Sequence, residues 1–452
     1  MMLTYPVLAL LISPPPAVTP DSMVAFVDVT VIPMDRERLI PGQTVLVQSG
    51  RIAVIGPSSR VKAPAGSRTV DGRGKFLMPG LAEMHAHIPS GEQPDSVVHR
   101  TLFLYVSRGI TTIRGMLGHP SHLDLRAGAA SGQLLSPTIY TSGPSLNGNS
   151  VPTAEAAARM VTEQKEAGYD FLKIHPGIGR EPFDTLAATA HRLKIGFAGH
   201  VPLDVGLERA LDARYATIDH LDGYAEAMVA NGPLPPKESE FFGLNLGEQL
   251  DESRLSSLVK ATRDAKVWNV PTQVLLENLV PGPSVAELEK RPEMRYVRAE
   301  VRSKWAEVKS SLLAETGSTA QSVAKTMAVR RRLIKALHAG GSGLLLGSDA
   351  PQIYNVPGFS TLRELESLVA AGLTPYQALE TGTRNVAVFF GTTKETGTVQ
   401  AGKRADLILL DANPLDDVRN AGRQAGVMLR GRWLPKSEID TRLAEIARAV
   451  GN

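Results

Sequence analysis

Cysteine is absent from this chain of 452 residues. Disulfides, thiolate metal sites and a cysteine nucleophile are therefore excluded. Any transition metal has to be held by histidine, carboxylate or an equivalent donor. Aromatic residues make up only 5% of the chain, so the walls of a binding pocket should be mostly aliphatic. A formal net charge of +3 is too small to point to nucleic acid or a membrane surface. No apolar run approaches the ~20 residues that a membrane-spanning helix needs. What remains is an ordinary globular composition, 43% hydrophobic and 21% charged, with ample length for a large core.

The first residues, 1–24, read as a leader or a degenerate export signal. Val7 to Ile12 is apolar and prolines follow, but no Lys or Arg precedes the run, and it is short for a secretory core. An exported location follows if the segment is a signal, a cytoplasmic one if it is not. Arg330, Arg331 and Arg332 form a basic run expected on a solvated helix face.

Residues 25–78 are β-branched runs cut by Gly and Pro: "AFVDVTVIPM", "QTVLVQSG", "RIAVIG", "RTVDGRGKFLMPG". From 79 the texture changes to apolar strands alternating with helical stretches at 152–168, 181–193 and 361–371, the rhythm of parallel βαβ units. Strand candidates lie at 79–87, 109–117, 136–142, 169–175, 194–200, 215–220, 266–274 and 342–349. Eight such units predict an α/β chain with a (β/α)8 TIM-type barrel over 79–390. The helical, charged stretch 276–330 is too long for a simple connection and is expected to cover one end as an insertion. Beyond 390 the strand texture returns in "GTVQAGKRADLILLDANP" and "GVMLRGRWLP". Residues 25–78 and 391–437 are thus expected to pair into one small β-sandwich domain beside the barrel.

Four histidines and one aspartate follow apolar strand runs: His85 and His87 in "EMHAHIP", His200 in "GFAGHVP", His220 in "TIDHLDGY" and Asp349 in "LLLGSDAP". Strand ends of a barrel converge on one face, so these side chains would meet. Residues two apart on a strand point the same way, which lets His85 and His87 both aim inward. Neutral imidazole and carboxylate suit zinc and its neighbours. Each histidine alone reads more readily as a hydrogen-bonded core residue; the convergence favours metal. Lys173 sits inside the apolar run of "YDFLKIHPG". A buried lysine is costly unless paired, and as an ammonium it has only donors and ligates nothing. It forms a structural salt bridge, or carbamylation by CO2 turns it into a carboxylate able to bridge two cations.

Three further residues are substrate candidates. Tyr224, four beyond His220, could polarise a carbonyl or hold a substrate carboxylate, or pack under a loop. Arg114 ends the second strand and could grip a carboxylate or form an internal ion pair. His175 shares the direction of Lys173. The "TSGPSLNG" loop at 141–148 lines the pocket or only turns the chain.

Taken together, "MPGLAEMHAHI", "FLKIH", "GHVP", "DHLDGY", "LLLGSDAP" and "GKRADLILLDANPL" resemble the amidohydrolase superfamily over roughly residues 25–435. Within it the chain is similar to the binuclear metal-dependent amidases and Xaa-Pro and Xaa-Arg dipeptidases, ochratoxinase included. The resemblance implies two divalent cations, zinc by chemistry, with His85, His87 and Asp349 on the first. It implies His200 and His220 on the second and carbamylated Lys173 between them. It further implies hydrolysis of an amide or peptide bond by a metal-bridging hydroxide, with Asp349 moving the proton and Tyr224 assisting. The expected substrate is a small N-acyl amino acid or dipeptide, ochratoxin-like amides included, and the expected assembly a homo-oligomer. Relatives commonly carry Asp two residues before the first histidine, where this chain has Glu83. The alternatives are a deaminase of the same superfamily, which usually needs one metal and no lysine ligand, and a lactonase or esterase.

Overall fold

The structure, a computed structural model, describes residues 23–229, 241–280, 282–316 and 318–451. The expected leader lies almost wholly outside the described residues. The chain opens with five strands, β1 (Met23–Val31), β2 (Ile40–Gln48), β3 (Arg51–Pro57), β4 (Arg68–Asp71) and β5 (Phe76–Pro79). Seven short strands alternating with helices follow: β6 (Leu81–Ala86), β7 (Ile110–Gly115), β8 (Thr138–Thr141), β9 (Phe171–Ile174), β10 (Gly196–Gly199), β11 (Thr217–Asp219) and β12 (Trp268–Val270). Three more close the order, β13 (Leu407–Leu410), β14 (Gln424–Leu429) and β15 (Arg432–Pro435), before a last helix at Lys436–Gly451.

Strands from the two ends of the chain share one eight-stranded sheet, in the order β15-β14-β13-β5-β1-β2-β3 with β4 beside β1. Alternate residues of β1, Val24 and Phe26, bury themselves in an apolar cluster with Val45, Leu77, Leu407 and Trp433. The Phe26 and Trp433 rings meet edge to face, 5.1 Å between centroids.

The middle strands pair in parallel. β6, β7 and β8 form one sheet and β9 to β12 another. Parallel bridges Ser142↔Phe171 and Leu146↔Ile174 join the two. The eighth expected strand, 342–349, forms no regular strand; it makes single parallel bridges, Asn269↔Leu344 on one side and Ala86↔Ala350 on the other. The pairing therefore runs through eight segments and returns to β6. Gly347 permits the closest approach, since a Cβ there would lie 2.4 Å from Val270 Cγ1 and 2.9 Å from the His85 nitrogen. The strands are nearly all buried, as parallel strands covered by helices must be.

After β12 the chain does not stay extended to residue 274: a helix begins at Gln273. The stretch 276–330 holds the rest of that helix (Gln273–Leu279), Val285–Glu289, Ala299–Thr316 and the first half of Ala320–Ala339. Among the described residues no helix is long and apolar enough to cross a membrane.

Because Trp433 joins the last strand to the first, Trp433→Ala should cost roughly 3–5 kcal/mol, as for other large-to-small core changes. Thermal unfolding should show a fall in Tm of several degrees; an unchanged Tm would mean that the terminal sheet contributes little to stability.

Candidate metal centre

His85 lies in β6 and His87 directly after it, Lys173 in β9, His200 after β10, His220 after β11, and Asp349 at the end of the segment that bridges β12 and β6. All six sit at the same, C-terminal, ends of the ring, where such sites are built. His85, His87 and Asp349 each offer an atom within 4.8 Å of the others. His87 Nε2 is 2.7 Å from Asp349 Oδ1, and His85 Nε2 is 3.6 Å from the same oxygen. The His85 and His220 rings are 4.5 Å apart, and those of His200 and His220 4.6 Å. Backbone at positive φ re-aims two of these side chains where the strands end, 61° at His220 and 64° at Asp349.

Lys173 is fully buried, and among the described residues its Nζ has one hydrogen-bond partner, His85 Nε2, at 3.5 Å. Among the described residues no carboxylate comes within ion-pair distance of it. Burial pushes its pKa down, against the pull of Asp219 and Asp349.

The histidines are held from behind. His85 Nδ1 is 2.9 Å from Asp219 Oδ2, and His200 Nδ1 is 2.7 Å from Asp222 Oδ2. His220 Nδ1 is 2.7 Å from Thr272 Oγ1. The Asp222 contact leaves Nε2 of His200 to offer a lone pair, the arrangement usual behind metal-binding histidines, whereas His85 Nδ1 lies close to Asp219 without hydrogen-bond geometry. Burial, then the Lys173 charge, pushes His85 well below the usual imidazole range and His200 down to about 3. Burial and then His85 do the same to His220. All three are neutral at pH 7, the state that can bind a cation. Glu83 accepts from Ser348 N and Oγ, Thr361 Oγ1 and His85 N at 2.6–3.0 Å, tying β6 to the Asp349 segment. Burial pushes its pKa up to about 7.

Arg114 is turned into the interior rather than to the rim. It is buried, with Nε on the Met84 carbonyl at 2.7 Å and Nη2 on Asp219 at 3.2 Å, so it steadies the carboxylate behind His85. Tyr224 is also misplaced by the four-residue spacing from His220. Left-handed backbone at Leu221 and Gly223 turns the chain, and the buried hydroxyl bonds Thr262 Oγ1 at 2.7 Å. His175 does stay with the group: its Nδ1 meets Ser145 Oγ, of the "TSGPSLNG" loop, at 2.7 Å, and its ring lies 5.1 Å from that of His200. Burial, followed by Lys173, pushes it down to about 2.

The basic run is not all solvated. Arg330 is buried, donating to the carbonyls of His220 (2.6 Å) and Pro271 (3.1 Å) and to Gln273 Oε1 (3.2 Å). Sequence reasoning missed this, and also Asp219, Asp222 and Phe242. A signal existed for the two aspartates, which flank His220 in "IDHLD". Phe242 had none: its ring lies 5.2 Å from that of His220, across a chain turn at φ 60°.

The model of the Amidohydrolase family matches residues 76–434. A bottromycin amidohydrolase structure is similar over 95% of this chain and 91% of its own, with 22% identity and a TM-score of 0.70. A candidate prolidase from Bifidobacterium longum is similar over 95% of this chain and 100% of its own, with 26% identity and a TM-score of 0.67. The adenine deaminase of Ruegeria sp. strain TM1040 is 23% identical over 390 residues, 82% of this chain and 51% of the relative. The chain thus spans about half the length of that curated relative.

Arg330→Met should orphan three buried acceptors and cost roughly 2–4 kcal/mol, whereas Arg332→Met, on an exposed pair with Glu252, should stay within about 0.5 kcal/mol. Equal unfolding midpoints for the two variants would contradict the buried role of Arg330.

Proposed function

The chain belongs to the amidohydrolase family, and from that premise we propose that it is a binuclear metal-dependent hydrolase of amide bonds. Its proposed substrates are N-acyl amino acids or dipeptides. The observation that carries this reading is Lys173, buried among imidazoles and, among the described residues, with no carboxylate at ion-pair distance. Carbamylated, it would become the anionic oxygen donor that such a position calls for. In this reading His85, His87 and Asp349 would hold one cation, His200 and His220 would hold the other, and carbamylated Lys173 would add an oxygen donor. The eight-segment ring is then the family's (β/α)8 barrel, and the terminal sheet its small β-sandwich. Phe26 and Trp433 support a folded-over sheet, because β1 and β15 are four steps apart and would lie roughly 19 Å apart in a flat one.

When bound, the cations supply Lewis acidity to the scissile carbonyl and to water. The residues supply the rest. Asp349 turns Oδ1 to His85 and His87, which leaves Oδ2, 3.8 Å from His220 Nδ1, to accept a proton and return it to the leaving nitrogen. His175, neutral and accepting from Ser145 at Nδ1, presents Nε2–H as a donor for a substrate carboxylate. Arg114 and Tyr224 have no part in this.

The adenine deaminase relatives favour a second reading, ammonia release from an aminopurine. Both reactions break a C–N bond, and metal content separates them. The binuclear reading expects two ions per chain and loss of activity to chelators; one tight ion at full activity, with ammonia formed from adenine, would decide for the deaminase.

Lys173→Ala should abolish turnover, with partial recovery in formate or acetate, small carboxylates able to take the missing bridge. A variant keeping wild-type rate and both ions would make the lysine structural.

On the substrate side, converting the free carboxylate of an N-acyl amino acid to its primary amide should lower kcat/KM about 10- to 1000-fold. Equal rates would move the reading towards a general amidase or esterase.

A further inference from the structure

A cavity of about 680 Å³ lies between the helices Ala320–Ala339 and Phe359–Ala370, beneath the Gln273–Leu279 helix. None of the six central residues lines it. Its size is that of small-molecule sites. One wall is aliphatic, made by Val274, Val280, Val323 and Met327.

Three arginines also line it, Arg291, Arg331 and Arg363. Two are committed. Arg331 Nη2 donates to Glu277 Oε1 at 2.9 Å, and Arg363 donates twice to Glu293 Oε1, at 2.9 and 2.6 Å. Glu277 is itself saturated, its other oxygen taking the Ser367 hydroxyl at 2.6 Å. Arg291 is different. Its guanidinium has no hydrogen bond or ion pair with any described residue, and its Nη1 is buried. The Nε of Arg331 is likewise buried without a partner. Burial and then the charge of Arg363 push Arg291 down to about 10, so it remains a cation at neutral pH. Buried guanidinium N–H groups without an acceptor are costly, and they mark where an anionic acceptor belongs.

Glu366 stands on the exposed rim of the same cavity, also with no hydrogen bond or ion pair to a described residue. A simple anion would meet this carboxylate as a like charge. An amine would leave Arg291 unanswered. A zwitterion answers both.

We propose that this cavity binds a free α-amino acid with an aliphatic side chain. Its carboxylate lies on Arg291 and the Nε of Arg331, its ammonium on Glu366, and its side chain against the valine and methionine wall. The site stands whichever C–N bond the metal centre breaks.

Isothermal titration of the full chain tests this, with L-leucine, isocaproate (no ammonium) and isoamylamine (no carboxylate) as probes. The proteins are wild type, Arg291→Met, Glu366→Gln and His200→Ala, each with its Tm recorded. Leucine should bind wild type and His200→Ala alike. Arg291→Met should weaken it about 10- to 100-fold, the usual effect of losing a charge-assisted contact. Glu366→Gln should weaken leucine but not isocaproate, and isoamylamine should bind least. Arg291→Met removes an unpaired cation, so its Tm should not fall. Leucine binding lost in His200→Ala and intact in Arg291→Met would place the ligand at the metal centre and overturn the proposal. So would isocaproate binding as tightly as leucine, or no leucine binding at millimolar concentration.

Discussion

One unfavourable placement constrains the middle of this protein: a lysine amine enclosed in the strand layer with no counter-ion at ion-pair distance among the described residues. Moving an ammonium out of water costs several kcal/mol even after relaxation, and only a close anion offsets that. Asp219 and Asp349 act on Lys173 from beyond ion-pair distance, and burial still prevails over both. The surrounding imidazoles add no anion. A neutral amine is the form that reacts with CO2, so the burial that disfavours the ammonium favours the modification. The proposed cation site and the depressed basicity of Lys173 are in this sense one property.

The supporting residues extend the same logic outward. Arg114 pairs with Asp219, Asp219 lies 2.9 Å from His85 Nδ1, and His85 Nε2 meets the Lys173 amine. Arg330 reaches from the helix Ala320–Ala339 to the carbonyl of His220, where the backbone turns left-handed. Glu83 does for the Asp349 segment what these do for the histidines. Each charge is placed so that one ligand candidate keeps one orientation.

Much of this was legible in the sequence because strands are local. An apolar run that ends on histidine or aspartate, or encloses a lysine, can be read without knowing its neighbours, and His85, His87, Lys173, His200, His220 and Asp349 were singled out that way. Partners far along the chain were not legible. Arg114 reads as a rim residue until Asp219, 105 positions later, is seen to engage it. Tyr224 failed because spacing has no meaning across a left-handed turn. Three successive arginines looked like one solvated face, but consecutive helix positions are about 100° apart, so one of three can point inward, and Arg330 does. The segment 342–349 carries Asp349 without forming a regular strand: its pairings are single bridges, and backbone hydrogen bonds to Met84, His85 and Asn269 hold it beside its neighbours.

The central claim is that Lys173 is held as a carbamate rather than as an amine. The direct measurement is a carbon-13 NMR spectrum of the protein prepared in labelled bicarbonate with divalent cations present. A carbamate carbonyl resonance that disappears in Lys173→Ala is the predicted result. A spectrum with no such resonance in fully active wild-type protein would contradict it.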